Sequence, residues 1–386
     1  MLHLNYLYIR MNYSRYIEIQ AKSLLRKQKK VDSWFLSRYG MNLYRGCEHN
    51  CSYCDGRAER YYVEGEFGRD VSVKMNAPEL LDRELNPQSK RKPLRKGIIV
   101  LGGGVGDSYQ PSEEKYRISR KVLQIIKKYR FPVHVLTKSA RVLDDIELLR
   151  EMNEQSGVLV SFSLSTADDD LAAKFEPCAS PPSERLAAIK TLRDAGIISG
   201  VFLMPVIPFL SDTPSMIDHS LKAAKAADAK YLLFGGMTLK EGRQQDYFYE
   251  ELGKHFPEII SYYQQIYTGD RWGNASKEYY ETAHQVFRDM NAVHKLPKRI
   301  PLHFVREWLP MEDQVVILLE QLHYLNRLKG LKSTFGQAAY RISERIEHKM
   351  ELDYKTIDGV GKVTAGYLRE WIETGRCRYY EELLVE

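Results

Sequence analysis

The chain has 386 residues, of which 57 are Lys or Arg and 51 are Asp or Glu, so its net charge is +6 at pH 7. A hydrophobic content of 44% excludes a disordered chain, and no run reaches the roughly 20 apolar residues that span a bilayer. The five cysteines are mostly clustered, unlike an extracellular disulfide framework, and the first residues lack a secretory signal, so we expect a cytoplasmic protein with no membrane partner.

Basic residues are concentrated near the N-terminus. Nine Lys and Arg side chains lie in residues 1–46 against two acidic ones, so this segment alone carries +7. A second basic cluster, residues 90–96, precedes the first clear strand pattern. Short basic clusters can neutralise phosphates, but an isolated cluster more often lies on a solvated surface. We treat residues 1–40 as a basic N-terminal segment and leave both interpretations open.

Three cysteines, Cys47, Cys51 and Cys54, lie within eight residues in a loop that follows Gly46. Thiolates are ligands of Fe–S clusters, zinc and copper(I). His49 could complete a zinc site, although it lies inside the loop, where the geometry is poor. Three thiolates also fit a [4Fe–4S] cluster with one iron left open, because full ligation takes four cysteines. The spacing predicts a metal site here, and an open iron could chelate the amino and carboxylate groups of a small molecule.

From about residue 97 to 236, apolar runs alternate with amphipathic segments. The runs are rich in Val, Ile, Leu and Phe without alternation, as in strands buried on both faces of a parallel sheet. Repeated βα units predict an α/β architecture, either an open sheet or a barrel. The predicted strands are 97–101, 132–137, 157–164, 200–206 and 231–234, and the predicted helices are 112–129, 142–153, 182–195 and 213–227.

The sequence changes character at about residue 240. Residues 241–314 form a Tyr-rich extension whose aromatic side chains could stack on bases or fill the core of a capping segment. Residues 315–386 have the pattern of short helices. The aromatic residues of the extension include Tyr247, Tyr249, Tyr262, Tyr263, Tyr267, Trp272, Tyr279 and Tyr280.

Together these features resemble the radical S-adenosylmethionine (SAM) superfamily over about residues 21–236. The superfamily signature is CxxxCxΦC with Φ aromatic, and Tyr53 stands at Φ. Within the superfamily, the chain looks most like the branch related to spore photoproduct lyase. The segments that carry this resemblance are Ala21–Leu25, Tyr44–Cys47, Gly104–Pro111, Leu136–Ser139, Ser161–Ser165, Phe175–Pro177 and Arg185–Leu186.

The resemblance implies a partial (β/α)6 barrel of the TIM type, residues 41–240, with its chemistry at the C-terminal ends of the strands. It implies a [4Fe–4S] cluster at the three cysteines, SAM as the second cofactor, and an external electron donor such as flavodoxin or ferredoxin. The reduced cluster would cleave SAM to methionine and a 5′-deoxyadenosyl radical, which abstracts a hydrogen atom from the substrate. The residues implied to bind SAM are Tyr53, Gly102, Gly103, Gly104, Lys138, Ser163, Glu176 and Arg185.

Each of these residues has an expected role. The glycines leave room for the methionine backbone. By the resemblance, Lys138 contacts the SAM carboxylate, and Ser163 and Glu176 hydrogen-bond the ribose or the amino group.

Two departures from the lyase pattern concern the return of a hydrogen atom to the product. Lyases of this kind carry a cysteine where this chain has Gly104 or Val105, and a tyrosine directly after the third cluster cysteine, where it has Asp55. Cys178 is a possible substitute donor, although a lone cysteine is at least as often a small buried apolar residue. Tyr109 is a second candidate catalytic residue, and it could equally be structural.

The C-terminal segment contains a motif of the form hxGhG at residues 357–361. Residues 320–386 resemble the N-terminal helical domain of family X DNA polymerases, which predicts an all-α helix-hairpin-helix domain at 315–386. Backbone amides at such a turn bind phosphate without reading sequence. The Schiff-base lysine of that family corresponds to Tyr367 here, so only DNA binding is carried over; a role in protein binding stays open. The residues expected to bind DNA are Gly359, Gly361, Lys362 and Thr364.

We expect a radical SAM enzyme that repairs or modifies a DNA base. A lesion within a duplex would have to be flipped out to reach the barrel. Two alternatives are radical modification of RNA or a peptide, and a non-catalytic metal-containing DNA-binding protein.

Overall fold

The computed structural model describes the chain except for residues 1–14, 62, 64, 90–92, 104, 348–353, 355, 356 and 358. Gly104, residues 90–92 of the second basic cluster and part of the hxGhG motif therefore lie outside the described residues. In the described part of the chain, no helix has the length and apolar character needed to cross a membrane.

Ten strands occur among the described residues. They are β1 (Arg15–Ile19), β2 (Arg26–Asp32), β3 (Ser37–Met41), β4 (Tyr44–Arg45), β5 (Asp70–Lys74), β6 (Ile98–Leu101), β7 (Val133–Thr137), β8 (Val158–Leu164), β9 (Ile198–Val206) and β10 (Leu232–Gly236). Over the same residues, β1, β5 and β4 form a small sheet and the other seven form the main sheet, in the order β10-β9-β8-β7-β6-β3-β2.

Fourteen α-helices occur in the same described residues. They are α1 (Ala77–Leu85), α2 (Glu113–Tyr116), α3 (Ile118–Lys128), α4 (Ile146–Gln155), α5 (Asp169–Phe175), α6 (Pro182–Asp194), α7 (Pro214–Ala226), α8 (Arg243–His255), α9 (Ile260–Ile266), α10 (Lys277–His294), α11 (Met311–Leu328), α12 (Phe335–Glu347), α13 (Lys362–Thr374) and α14 (Arg378–Val385).

The main sheet is an unclosed barrel. The strands β3, β6, β7, β8, β9 and β10 are parallel neighbours that follow chain order, as in a βα barrel rather than a doubly wound sheet. The two edges of this sheet, β10 and β2, do not pair with each other. The prediction of an α/β fold with a parallel sheet is confirmed, and the barrel is open.

The predicted strands match the structure in the middle of the chain, whereas the first barrel strand was not predicted. The five apolar runs coincide with β6 to β10. The predicted helix 112–129 is broken at Arg117, which has a left-handed backbone (φ 50°) between α2 and α3. The first barrel strand, β3, has no apolar run, and it crosses the expected boundary at residue 40.

The basic N-terminal segment contributes β2, which is antiparallel to β3 at an edge of the main sheet. Arg26, Lys27, Lys29 and Lys30 are exposed on this strand. Charged side chains on an edge strand discourage pairing with another chain. The basic side chains of this segment therefore suit an edge strand, whether or not they also bind phosphate.

The C-terminal helices close one end of the barrel. Buried residues of α11, α13 and α14 share one apolar core with the side chains of Ile98, Leu159, Phe202 and Leu233. Gly157, which precedes β8, faces the Trp308 ring so closely that a Cβ would lie 2.0 Å from it. Because β8 begins at Val158, these helices cover the N-terminal ends of the strands, whereas the cysteine loop follows the C-terminal end of β3.

Candidate active site

The cysteine loop leaves β3 and lies over the C-terminal ends of the barrel strands. Gly46 has φ of 83°, and a Cβ there would lie 2.5 Å from the Asp70 carbonyl oxygen, so the turn into the loop requires glycine. Cys47 and Cys51 are buried and Cys54 is half-buried. The Cys51 and Cys54 backbones are joined by a turn, with the Cys54 N–H donating to the Cys51 carbonyl at 3.3 Å.

The environment of the three thiols fits a metal cluster. Burial raises the pKa of the Cys47 and Cys54 thiols and raises that of Cys51 to about 12. Buried thiols in this environment become thiolates only when a positively charged group binds them, as metal ions do. In the described residues, no group of three or more His, Cys, Asp and Glu side chains converges as the ligands of a single metal ion would. A [4Fe–4S] cluster binds each thiolate through a different iron and does not need that convergence.

His49 is engaged with the protein rather than available as a fourth ligand. Its Nε2 lies 3.2 Å from Asp107 Oδ2, and its Nδ1 lies 3.2 Å from the Cys178 carbonyl oxygen. Burial raises the pKa of Asp107, but His49 and backbone N–H groups lower it more, and the carboxyl's pKa is below its usual value. Asp107 also accepts hydrogen bonds from Thr137 Oγ1 and the Lys138 N–H at 2.8 and 2.7 Å, which connects the loop after β6 to the end of β7.

Five residues predicted to bind SAM meet in one hydrogen-bonded group. Tyr53 donates its hydroxyl to Glu176 Oε1, and Lys138 Nζ donates to the same oxygen at 3.2 Å. Lys138 also donates to Ser163 Oγ at 2.7 Å and lies 5.5 Å from the centre of the Tyr53 ring. Arg185 binds the other Glu176 oxygen, and its remaining nitrogens donate to the Ser163 and Ser180 carbonyls.

The charge of Glu176 is strongly stabilised in this group. Burial raises the pKa of Glu176, but Arg185, Lys138 and the Tyr53 hydroxyl lower it more, so the carboxyl's pKa is far below its usual value. Arg185 is fixed by three contacts, whereas the Lys138 side chain is partly exposed. Glu176 would therefore keep a cationic partner if Lys138 turned toward a bound carboxylate.

The glycines after β6 have different surroundings. Gly102 has φ of 77°, and a Cβ there would lie 2.3 Å from the Leu136 carbonyl oxygen, so it is required for strand packing. Gly103 has no atom closer than 3.8 Å to its Cβ position, which leaves room for a ligand backbone. Gly104 lies outside the described residues.

The two candidate hydrogen-atom donors are placed differently. Tyr109 is buried, and its hydroxyl donates to Asp145 Oδ2 at 3.0 Å within the layer between sheet and helices. Burial and Asp145 raise the pKa of Tyr109. Cys178 lies beside the cysteine loop, because its N–H donates to the His49 carbonyl at 3.3 Å.

Sequence reasoning did not find Arg57, which supports the cysteine loop. Its Nε donates to the Cys51 carbonyl at 3.1 Å, and Nη2 donates to the Asn50 carbonyl at 3.3 Å. Its guanidinium lies between the rings of Tyr247 at 3.5 Å and Phe67 at 4.9 Å. The only local signal is a basic residue three positions after Cys54.

Asp55, which stands where the lyases have tyrosine, is tied to the last barrel strand. Its Oδ1 accepts hydrogen bonds from Thr238 Oγ1 and Lys240 Nζ at 2.7 Å and from Gln244 Nε2 at 3.1 Å. This contact bridges the open side of the barrel between the cysteine loop and the segment after β10.

The residues predicted to bind DNA lie on the C-terminal helices, at the end of the barrel away from the cysteines. Gly359 has φ of 88°, and Gly361 is the residue before α13, which begins at Lys362. Lys362 is exposed and Thr364 is buried. The structure therefore does not bring this turn next to the cysteine loop.

Comparisons with known proteins agree with this geometry. A family model described as the Radical SAM superfamily matches residues 41–237. An uncharacterized protein of Mycobacterium tuberculosis is 32% identical over 254 residues, 65% of this chain and 73% of the relative. An uncharacterized protein of Methanocaldococcus jannaschii is 30% identical over 246 residues, 64% of this chain and 86% of the relative. A spore photoproduct lyase solved with dinucleoside spore photoproduct is 14% identical, with a TM-score of 0.51 over 76% of this chain and 80% of the lyase.

Proposed function

The chain belongs to the radical SAM superfamily, whose members use a [4Fe–4S] cluster and SAM, and from this premise we propose that it repairs a DNA lesion in the manner of a photoproduct lyase. The observation that carries this proposal is the fold shared with a lyase that holds a dinucleoside photoproduct. Flavodoxin or ferredoxin is proposed as the electron donor.

The residues present fit both cofactors. Cys47, Cys51 and Cys54 would hold three irons of the cluster, and the group around Lys138 and Glu176 would hold SAM. When bound, these cofactors supply the radical that abstracts a hydrogen atom from the substrate.

The chain's own residues would position SAM. Lys138 would turn from Glu176 to the SAM carboxylate, because Arg185 alone keeps the Glu176 charge paired. Ser163 Oγ, which donates to the Met204 carbonyl at 2.9 Å, is fixed as an acceptor for a ligand donor. Gly103 leaves space for the methionine backbone.

We keep Cys178 as the proposed hydrogen-atom donor to the product. Its position beside the cysteine loop supports this role, and the Tyr109 hydroxyl is already donated to Asp145. In this step the S–H bond would break and a C–H bond would form on the substrate radical. The thiyl radical left on Cys178 would return to the thiol by taking one electron from the proposed flavodoxin or ferredoxin and one proton.

We also retain a DNA-backbone contact at the turn before α13 as part of the proposal. Its position at the base of the barrel means that bound DNA would have to run along the outside of the barrel to reach both sites. A Lys362→Glu variant should weaken DNA binding and flatten its salt dependence, whereas Lys190→Glu, an exposed control on α6, should not. Equal affinity of the two variants would remove DNA binding from this turn.

The deciding experiment is anaerobic reaction of the reduced, reconstituted protein with SAM and UV-damaged DNA, followed by mass analysis of nucleosides. We expect a thymine photoproduct to disappear, and the Lys138→Met variant to lose this activity while retaining its iron. Undamaged DNA, RNA and a peptide mixture serve as parallel substrates. Release of 5′-deoxyadenosine with RNA or peptide but not with DNA would contradict the proposed substrate.

A further inference from the structure

The loop between α9 and α10 presents a tryptophan to solvent at the barrel mouth. Trp272 is 54% exposed, and its neighbour Arg271 is exposed as well. Exposed tryptophan is unusual on a soluble surface, because a large ring gains much by burial. The position of this ring therefore needs an explanation other than packing.

The loop is built to hold Trp272 in place. Asp270 Oδ2 accepts hydrogen bonds from the Trp272 N–H at 2.9 Å and from the Asn274 N–H at 3.0 Å. Gly273 packs on the backbone of Leu239, whose N–H donates to the Gly273 carbonyl at 2.7 Å. The anchored turn leaves the side chains of Arg271 and Trp272 exposed to solvent.

A short chain of contacts connects this loop to the cysteines. Leu239, on which the loop rests, is followed by Lys240, and Lys240 Nζ donates to Asp55 at 2.7 Å. Asp55 directly follows Cys54. Trp272 therefore lies on the rim of the barrel mouth, where a substrate for the site would pass.

Two arginines flank the Trp272 ring. The Arg271 guanidinium lies 5.2 Å and that of Arg60 5.8 Å from the ring, and Arg60 also lies 4.8 Å from the Tyr61 ring. Within the described part of the chain, neither arginine forms an ion pair with a carboxylate. Arg60 Nη2 donates to the Tyr61 hydroxyl at 2.8 Å, which leaves its positive charge without a carboxylate. Such a cation beside an exposed ring suits a nucleotide, because the cation can bind the phosphate and the ring offers a flat surface to the base.

We propose that Arg60, Arg271 and Trp272 form a binding site for unpaired nucleotides, on which single-stranded nucleic acid stacks at the barrel mouth. This inference rests on the proposed function and narrows its substrate to a strand whose bases are already unpaired.

The surroundings of the rim favour a single strand over a duplex. Exposed carboxylates of Glu59, Glu241 and Asp270 lie on the same segments, and they would repel the two phosphate backbones of a duplex more strongly than the one backbone of a single strand. Two further exposed rings lie nearby: Phe209 follows β9, and its ring is 5.7 Å from the ring of Tyr262 on α9. Because the C-terminal ends of β9 and β10 meet at one edge of the sheet, these rings and Trp272 lie at the same end of the barrel.

The test measures binding of the full chain, reconstituted with its cluster, to a fluorescent oligothymidylate and to a duplex of equal length. We expect the single strand to bind more tightly, and Trp272→Ala to weaken it about tenfold, because stacking is worth about 1–3 kcal/mol per base. Trp272→Phe should restore most of the affinity. Tyr340→Ala is the matched control, since Tyr340 is 51% exposed on α12 at the other end of the barrel, and it should have no effect.

The other outcomes overturn the inference in distinguishable ways. If the protein prefers the duplex, or if Trp272→Ala leaves oligothymidylate affinity unchanged, the stacking site is wrong while the proposed DNA substrate stands. If the unaltered chain binds neither DNA, the proposed function fails with it. Equal loss in Trp272→Ala and Tyr340→Ala would show a general loss of folding and would also reject the site.

Discussion

At the scale of single residues, Glu176 belongs to the predicted SAM site and also contributes to the stability of the fold. It is buried and shared by Tyr53, Lys138 and Arg185, so three elements of the barrel depend on one carboxylate. Removing one partner of a buried ion pair leaves the other charge without compensation, which is costlier than removing both.

A Glu176→Gln substitution should therefore destabilise the fold as well as weaken SAM binding. We expect the free energy of unfolding to fall by about 3–5 kcal/mol, because the Arg185 and Lys138 charges would be left without an anion. Urea unfolding followed by circular dichroism measures this. Glu151→Gln is the control, since Glu151 forms an exposed ion pair with Lys127, and it should be almost neutral. Equal stability of the two variants would show that the Glu176 group is not a coupled network.

Arg57 supports the backbone of the loop whose cysteines would bind the cluster. Arg57→Lys keeps the charge but loses the planar group that binds the Asn50 and Cys51 carbonyls and stacks on Tyr247. We expect affinity for the cluster to fall about tenfold, as is usual when support behind metal ligands is lost. Iron and sulfide content after reconstitution at limiting iron checks this, with Arg150→Lys on exposed α4 as the control. Full iron content in Arg57→Lys would assign the residue to packing alone.

At the scale of secondary structure elements, the sequence predicted the strands that have their own apolar run and missed the one that does not. The strands β6 to β10 are apolar runs, and their C-terminal ends meet at one edge of the sheet, which is why Lys138 and Ser163 lie close together. Glu176 follows α5 instead, and it reaches them from the loop after that helix. The strand β3 was missed because its SRYGM sequence has no apolar run. Its buried Arg38 is paired with Asp313, 275 residues away, and no local pattern can show such a partner.

A buried polar chain across β7, β8 and the start of β10 is another feature with no local signal. His134 Nδ1 lies 2.9 Å from the Phe35 carbonyl oxygen, and Nε2 lies 2.7 Å from Ser161 Oγ, which is 2.8 Å from the Tyr231 hydroxyl. Burial lowers the pKa of His134 to about 4. The folded protein therefore holds this imidazole neutral at pH values where the unfolded chain would protonate it.

This buried histidine predicts acid sensitivity of the fold. Between pH 6.5 and 4 the unfolded chain binds one more proton than the folded chain at His134, so stability falls as the pH falls, by up to about 3 kcal/mol. Well above pH 6.5 the His134 imidazole is neutral in both the folded and the unfolded chain, so it no longer makes stability depend on pH. Urea unfolding at pH 7.0 and 5.0 should show a smaller loss for His134→Gln than for the unaltered protein, so that the difference isolates this group. Parallel pH dependence in both proteins would contradict the assignment.

At the scale of the whole molecule, the C-terminal helices are part of the barrel's core rather than an appendage. Their buried side chains cover Ile98, Leu159, Phe202 and Leu233, and Trp308 fits against Gly157. A separate helix-hairpin-helix domain at 315–386, as the sequence predicts, could be removed without affecting the barrel. The shared core changes that expectation, because a truncation at residue 315 removes nearly all of α11 and exposes the inner face of the sheet.

We therefore predict that a chain ending at residue 314 does not fold. The truncation exposes apolar side chains of four barrel strands at once, namely Ile98, Leu159, Phe202 and Leu233. It also removes most of α11, the helix that carries Asp313, so the buried charge of Arg38 loses the support of its partner. Circular dichroism, gel filtration and binding of a hydrophobic dye to the truncated chain should show an expanded or aggregated state, and the full chain should unfold in one cooperative transition. A monomeric truncated chain with a native spectrum and bound iron would show instead that the barrel folds alone and that the C-terminal helices are separable.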